Sequence, residues 1–506
     1  MKLIGFLTTF ILTSLLCFGP SISIVELNAN SETKTIAEKK QSFRSLILNT
    51  SVNNIASGDQ TDLSDQNVMR AMTLADAAIS AHFPGSEMAM ARYFNPYTGA
   101  LSEEKGSIWM YTSAIEAVNA ILHALKAQKA GGNSALYDEN FKRYADLLYK
   151  LYAKADYYMG TFELVSYAQT KEWTVYGVNR GASEGQAEVA GIMNVYDDQM
   201  WLVREFIEAY KLTGRKAFLE KAEYLTAYVL DGWDCTYDAN GEEKGGITWG
   251  PGYVSKHSCS NGPMVSPLVW LHELYKGKRD KITHFYIDPS DQKTRKTKKV
   301  NKSDYYLDFA QKIYHWQKEN LLRSDGVYDD MMGGCTPGKP QTEVINGVDY
   351  RKGIICRDRV GPAITYNSGT MLSGAADLFR ATGDDLYLKD AKRLSESSFT
   401  YFAHIDKDVP GYYTFDVSGF RNWFNGVLMR GYVDVYPTCE EVSEYISSFQ
   451  QNLDYAYENF LYNGFLPTNL LEGWNEDHEK NNTEGMFNFA FAAEYAVLAK
   501  YELDKQ

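Results

Sequence analysis

Tyr210-Lys211-Leu212-Thr213-Gly214, followed at once by Phe218-Leu219-Glu220-Lys221-Ala222, decides the fold. The phrase returns as Phe379-Arg380-Ala381-Thr382-Gly383 with Tyr387-Leu388-Lys389-Asp390-Ala391. In both copies a helical pattern stops at Gly, which readily takes the left-handed cap, and a second helix starts within a few residues. The unit is a helical hairpin. Its second box recurs as Tyr306-Leu307-Asp308-Phe309-Ala310, and more weakly over Phe141 to Ala145. The boxes open at 141, 218, 306 and 387, which is 77, 88 and 81 residues apart. A tetratricopeptide solenoid repeats at roughly 34 residues and does not fit; two helices plus a long loop do. Further helical patterns over 67–83, 108–127, 423–461 and 484–503 bring the expected number of helices to about twelve. Val/Ile-rich runs are few and short, so the class is all-α. Six helical hairpins closing into a toroid is the natural arrangement, since closure removes the need for capping repeats.

Closure would make the inner helices parallel and put their N-termini on one rim. The residues expected there are Tyr196-Asp197-Asp198, Ser260-Asn261-Gly262, Tyr366-Asn367-Ser368-Gly369 and Arg421-Asn422-Trp423. Each set is polar, with Asn or Asp at a capping position. Plain N-capping explains most such sets; a mouth lined with hydrogen-bonding groups is the functional alternative. Within Val195-Tyr196-Asp197-Asp198-Gln199-Met200-Trp201, two carboxylates open a helix whose stripe is Tyr196, Met200, Val203, Ile207 and Tyr210. Capping needs only one of the two acids. Two carboxyl groups, one ionised and one protonated, are what glycosidic hydrolysis uses. The helix terminus favours the charged form of one, while burial against Trp201 and its neighbour's charge raise the pKa of the other. Adjacent side chains diverge by about 100° within a helix. The first residue of a helix start escapes that constraint by lying outside helical dihedral angles.

Composition bounds the rest. Over 506 residues the chain is 44% apolar and 23% charged, as in ordinary soluble globular proteins. A net charge of −14 argues against nucleic acid, whose phosphates need a basic surface. Aromatic residues reach 14%, with 37 tyrosines, and sugar rings pack their C–H faces on such side chains. Most must fill the space between helices; Trp173, Trp249, Tyr253 and Trp474 lie off any helical stripe and are the better ligand candidates. Lys2 followed by the apolar run Leu3 to Cys17, with Ser21-Ile22-Ser23 beyond it, reads as a secretory signal peptide over 1–23. Leu16 is a poor fit for lipidation at Cys17, and no later run is long enough to span a membrane. Residues 24–64 are polar and aperiodic and read as a flexible leader to a single catalytic domain over 65–506. The expected protein is exported, monomeric and without stable membrane insertion. Of the later cysteines, Cys235 with Cys259 or Cys335 with Cys356 could each clip a loop. Neither spacing is that of a metal site, so no metal and no cofactor is expected. Between Gly277 and Ser303 the tight turn of the other hairpins is replaced by a basic excursion holding Lys278, Arg279, Lys281, Lys293, Arg295, Lys296, Lys298, Lys299 and Lys302. A solvated loop is the plain reading, and a contact to anionic glycan groups the sharper one.

Tyr196-Asp197-Asp198-Gln199-Met200-Trp201, Gly245-Gly246-Ile247-Thr248-Trp249, Ser260-Asn261-Gly262, Tyr366-Asn367-Ser368-Gly369-Thr370-Met371, Phe424-Asn425-Gly426-Val427 and Arg430 together resemble glycoside hydrolase family 76 from about Trp109 to the end. The paired Asp in its Asp-Asp-x-x-Trp setting is the specific signal; the other motifs are weak singly but stand in the family's order. The resemblance implies an (α/α)6 toroid and a retaining endo-α-1,6-mannanase acting on α-mannan. Asp197 would be its nucleophile and Asp198 its acid/base. Tyr196, Trp201, Trp249, Asn261, Tyr366, Asn367 and Thr370 are then expected to touch substrate. Leu202, where many relatives have a second Trp, and Asn425, where a Lys is frequent, depart from the pattern and bear on the subsites. A non-catalytic glycan-binding protein of the starch-binding lipoprotein type would share the aromatics and the leader but gives the Asp pair no role. A mannan transglycosylase would use the same pair.

Overall fold

In a computed structural model, which describes residues 63–505, twelve α-helices follow one another. They are α1 (Leu63–His82), α2 (Ile108–Ala130), α3 (Ala135–Ala155), α4 (Tyr196–Thr213), α5 (Lys216–Asp231), α6 (Val265–Tyr275), α7 (Lys302–Leu321), α8 (Thr365–Thr382), α9 (Asp385–Phe402), α10 (Arg421–Val435), α11 (Ser443–Phe460) and α12 (Gly485–Asp504). The two phrases that decided the fold lie where expected. Gly214 and Gly383 end α4 and α8 with φ of 68° and 71°, and each cap N–H is taken by a carbonyl one turn back. All four boxes fall at the start of second helices: α3, α5, α7 and α9.

Packing closes the ring. Helices α2, α4, α6, α8, α10 and α12 each touch the next, and α12 returns to α2. Around them α3, α5, α7, α9 and α11 pack on their own hairpin partners, while α1 packs on α12. The sixth hairpin therefore joins the first and last described helices, which sequence-adjacent pairing did not anticipate. The architecture is an (α/α)6 toroid. Inner helices are buried on more than one face: in α4, Gln199, Trp201, Leu202, Glu205 and Phe206 are buried beside the expected stripe, and Tyr210 is not. At the α8–α10 contact the helices approach so closely that a Cβ on Gly369 would lie 2.5 Å from the Val427 carbonyl, and one on Gly431 2.7 Å from that of Gly369. The pattern over 423–461 divides into two helices around Pro437, which cannot continue α10.

The loops hold more β-structure than the all-α reading allowed. Met159–Val165 pairs with Thr170–Tyr176, and Thr342–Ile345 with Val348–Arg351. Met331–Gly333 lies between Asp358–Val360 and Lys256–His257 in a three-stranded sheet. The basic excursion is an antiparallel hairpin, Lys281–Ile287 with Arg295–Asn301, and not an irregular loop. Charge hid it, because lysines crowd the second strand. Its cations are partly spoken for: Lys296 pairs with Asp288, Lys302 with Glu223 at 2.5 Å, and Arg295 donates to the Tyr167 carbonyl at 3.0 Å. Cys335 and Cys356 form a disulfide across the loops between α7 and α8, whereas Cys235 and Cys259 remain thiols. No described helix is long and apolar enough to cross a membrane. The expected signal peptide and all but the last two residues of the leader lie outside the described residues; α1 begins at Leu63, inside the stretch assigned to the leader.

Candidate active site

The rim formed by the inner-helix N-termini carries the paired aspartates. The residue that stands outside helical dihedral angles is Val195 (φ −127°, ψ 143°), so Asp197 and Asp198 both sit within the first turn of α4. Their side chains therefore diverge as helix neighbours do. Asp198 is buried, while Asp197 keeps partial access to the mouth. Burial raises Asp197 from 3.8 to about 6; the Cys259 thiol, the Trp249 indole and N–H groups of its own turn pull it partly back. Burial pushes Asp198 well above the ordinary carboxylate range, and the charge of Asp197 adds to it. The order is the one that the helix-terminus argument predicts. Between about pH 6 and the higher pKa of Asp198, the pair holds one anion and one proton.

The loop Trp233–Ser260 brings Trp249 over this turn. The Tyr196 N–H donates to the Trp249 carbonyl at 2.8 Å. Gly245 and Gly246 (φ 65° and 74°) allow the preceding turn, and a Cβ on Gly246 would sit 2.4 Å from the Trp316 ring. Underneath, Lys256 and Asp234 form a fully buried pair at 3.1 Å; Lys256 also donates to the Gly245 carbonyl and Asp234 accepts from the Ile354 N–H. Trp249 is half-buried, stacks on His257 at 5.1 Å and leans on Tyr253 at 4.7 Å. Burial holds the His257 pKa down at about 4, so Trp249 rests on a neutral ring above that pH. Asp197 Oδ1 and the Trp249 indole N–H are both shut off from solvent, and the indole is turned to the Asp197 carboxylate.

The floor is aromatic. The Trp201 indole donates to the Tyr366 hydroxyl at 2.8 Å, and Trp423 meets Trp201 edge-on at 4.6 Å. Phe424 and Trp109, both half-buried, continue this surface, with Phe420 against Trp109. Below it the toroid axis is ionic. Trp423 donates to Glu116 at 2.9 Å, Glu116 pairs with Arg430, and Glu494 lies beside Arg430.

Several expected substrate contacts take other roles. Tyr196 is buried against Tyr228, away from the mouth, because helix packing claims the whole ring. Asn261 is fully buried: its amide accepts from the Ile247 N–H and donates to the Ile247 and His257 carbonyls, leaving nothing for a ligand. It shapes the Trp249 loop. Buried Thr370 donates back to the Asn367 carbonyl within α8. Trp201 and Tyr366 are also buried, so they support the floor more than they line it. Trp249 and Asp197 remain at the opening. Asn367 lies beneath, with its Oδ1 unpartnered and its amide near Asp330. Of the loop aromatics only Tyr253 joins Trp249. Trp173 is buried in a strand against Tyr224 and Tyr228, and Trp474 donates to the Phe460 carbonyl at the end of α11. Leu202 is core, so its departure from the family pattern does not reach a subsite, and Asn425 ties α10 to Thr365 of α8.

Sequence reasoning took Cys259 only for a possible partner of Cys235. The three-stranded sheet brings Asp330 to the site, where burial raises it to about 6. The Cys259 thiol feels the charges of Asp197, Asp330 and Asp198 together, which places it among all three. Asp358 is exposed on the sheet edge. Nothing local in the sequence signals Asp330, because only the strand pairing of 256–257 with 331–332 delivers it.

The profile of glycosyl hydrolase family 76 matches residues 112–272 and 297–417, more than half of the chain. The chain belongs to that family. A family 76 mannosidase of Bacteroides thetaiotaomicron aligns over 87% of this chain and 100% of its own, with a TM-score of 0.63 and 19% identity. The α-1,6-mannanase of a Salegentibacter species aligns over 86% and 99%, with a TM-score of 0.56 and 18% identity. An inactive variant of that enzyme, with two consecutive aspartates replaced, is known in complex with α-1,6-mannotetrose. Mannan endo-1,6-alpha-mannosidase DCW1 of Candida glabrata is 25% identical over 183 residues, which are 35% of this chain and 32% of that protein. The matched segment thus spans about a third of the length of that relative. The solved structures share the toroid; residues 273–296, which include all of the excursion's first strand and its turn, fall between the two family matches.

Proposed function

We propose that this protein is an exported, monomeric, retaining endo-α-1,6-mannanase whose single catalytic domain follows a signal peptide and leader. One observation carries the reading: two adjacent carboxyl groups of unequal proton affinity at the mouth of a family 76 toroid, between a half-buried Trp and an aromatic floor. The inactive variant of the Salegentibacter relative, which lacks two consecutive aspartates, supports the same pair. Asp197, ionised above about pH 6, attacks the anomeric carbon while Asp198 protonates the departing glycosidic oxygen. The bond to the leaving sugar breaks as the Asp197–mannosyl ester forms. Asp198, now ionised, takes a proton from water; the water oxygen attacks the same carbon and Asp197 leaves as carboxylate.

The test is digestion of debranched α-1,6-mannan, with products sized and their first anomers read by proton NMR. Internal cleavage releasing α-mannose ends is expected. Initial β-mannose would overturn the adjacent pair and bring in Asp330, which stands across Cys259 from Asp197. Retaining carboxyl pairs lie about 5–5.5 Å apart and inverting ones about 6.5–9.5 Å. Neighbouring Cα atoms are about 3.8 Å apart, so Asp197 and Asp198 reach the wider span only as far as their side chains point away from each other.

A further inference from the structure

Residues 335–356, closed off by the Cys335–Cys356 disulfide, lie against the loop that carries Trp249 and hold it from outside. Gly353 comes so close that a Cβ there would stand 1.9 Å from Thr236 Oγ1. The Ile354 N–H donates to Asp234 at 2.9 Å, and the Ile354 carbonyl accepts from Lys256 at 3.4 Å. Arg351, which ends the strand Val348–Arg351, adds a third hold: its guanidinium donates to the Tyr253 carbonyl.

The Arg351 side chain is buried, at 4% exposure, and makes no ion pair among the described residues; the nearby Asp234 is taken by Lys256 at 3.1 Å. Burying a cation without a carboxylate is unfavourable unless its donors are used. Here they meet a backbone carbonyl, and the guanidinium lies 5.3 Å from the Tyr167 ring centre. The Arg351 N–H meanwhile anchors the strand to the Ser166 carbonyl at 2.9 Å. A charge-assisted hydrogen bond is roughly twice as strong as a neutral one. Tyr253 is otherwise fixed by its N–H, which closes the turn to the Gly250 carbonyl at 3.0 Å, and by its hydroxyl, 3.4 Å from the Ile192 carbonyl. Trp249 has its own ties, to the Tyr196 N–H at 2.8 Å and the Ser255 carbonyl at 3.0 Å. Arg351 thus bears on the half-buried Tyr253 ring, 4.7 Å from Trp249, and not on Trp249 itself.

We propose that Arg351 is a positioning residue: through the Tyr253 carbonyl it sets the Tyr253 ring beside Trp249 as a second stacking surface for substrate at the mouth. That the substrate is α-mannan rests on the function proposed above; that Arg351 orders the Gly250–Tyr253 turn does not.

The experiment compares Arg351→Met, which keeps the buried stem and removes the donors, with Tyr253→Ala and with the double variant, all in the full chain. On debranched α-1,6-mannan each single change should raise KM about five-fold, the scale of one lost ring contact, and leave kcat within about two-fold. The double variant should be no worse than either single one, because Arg351 acts through Tyr253. Amide hydrogen exchange over residues 250–256 reads the turn without substrate; it should quicken about ten-fold in Arg351→Met and stay unchanged across α4. Arg351→Gln, too short to reach the carbonyl, takes the same test if Arg351→Met fails to fold. An unchanged KM, KM increases that multiply in the double variant, or unchanged exchange each overturn the proposal. If wild type neither binds nor cuts mannan, the α-mannan reading fails and exchange alone decides Arg351: quickening confined to the turn supports its role, and none refutes it.

Discussion

Asp197→Asn should make the protein more stable while ending its activity. A buried carboxylate lifted from 3.8 to about 6 binds its proton more tightly in the folded state than in the unfolded one. The sign follows directly: wild-type stability is undiminished below the unfolded pKa and is lost as pH rises toward the folded value, because ionising the folded carboxyl costs more. Each unit is worth about 1.4 kcal/mol, so the charged Asp197 costs on the order of 3 kcal/mol above pH 6. An amide of the same shape carries no such cost. Equilibrium urea unfolding of wild type and variant at pH 4 and pH 7.5 measures it. The two should nearly coincide at pH 4, and the variant should lead by ~3 kcal/mol at pH 7.5. Its mannan hydrolysis should fall by many orders of magnitude, as expected for loss of a nucleophile. A variant less stable than wild type at pH 7.5, or a gap that ignores pH, would show that Asp197 is not held in the folded state against its charge.

Activity should follow a bell in pH, rising through about pH 6 as Asp197 ionises and falling at the higher pH where Asp198 gives up its proton; a profile of kcat/KM without the acid limb refutes the assignment. Trp249→Ala should leave circular dichroism unchanged and cut kcat/KM on mannan by about ten-fold, the scale of one lost ring contact, and an unfolded variant would make Trp249 core instead. Asp234→Ala strands the Lys256 ammonium in the interior and should cost about 3–5 kcal/mol of stability by chemical denaturation. A loss below ~1 kcal/mol, the scale of an exposed pair, would mean that this pair does not anchor the Trp249 loop.

What the sequence disclosed was whatever repeats or stands adjacent. The Gly214 and Gly383 caps and the boxes behind them are local chemistry, so the hairpins were legible. So was the place of Asp197 and Asp198 at a helix start, because both share one turn. The role of Asn261 was not, since a buried amide that satisfies a loop backbone looks identical in sequence to one that meets a sugar. Tyr196 failed for a related reason: its helical spacing marked it as core, and its place beside Asp197 made it look like site. Asp330, Cys259 and the Asp234–Lys256 pair depend on contacts between residues far apart in the chain. No local period reports such pairings. The small strands escaped because they lie in long loops where charged residues interrupt any apolar alternation, as at Arg295–Asn301.

The inner-helix termini explain how a toroid gives two carboxyl groups different proton affinities. A single exposed helix start would leave both aspartates near their ordinary pKa and both charged. Ring closure changes that. Trp201 and Tyr366 bond across from α4 to α8, Trp423 of α10 packs against Trp201, and the cup so formed strips water from the α4 turn. Desolvation acts on both acids, but only Asp197 has the Cys259 thiol and the Trp249 indole beside it to offset the loss. Asp198 has instead the added charge of Asp197. The asymmetry thus comes from the Trp249 loop, which Asn261 and the buried Asp234–Lys256 pair hold over one aspartate and not the other. Below the aromatic floor, Trp423 donates to Glu116, which pairs with Arg430. On this account the residues that separate the two pKa values are largely ones that never touch a sugar.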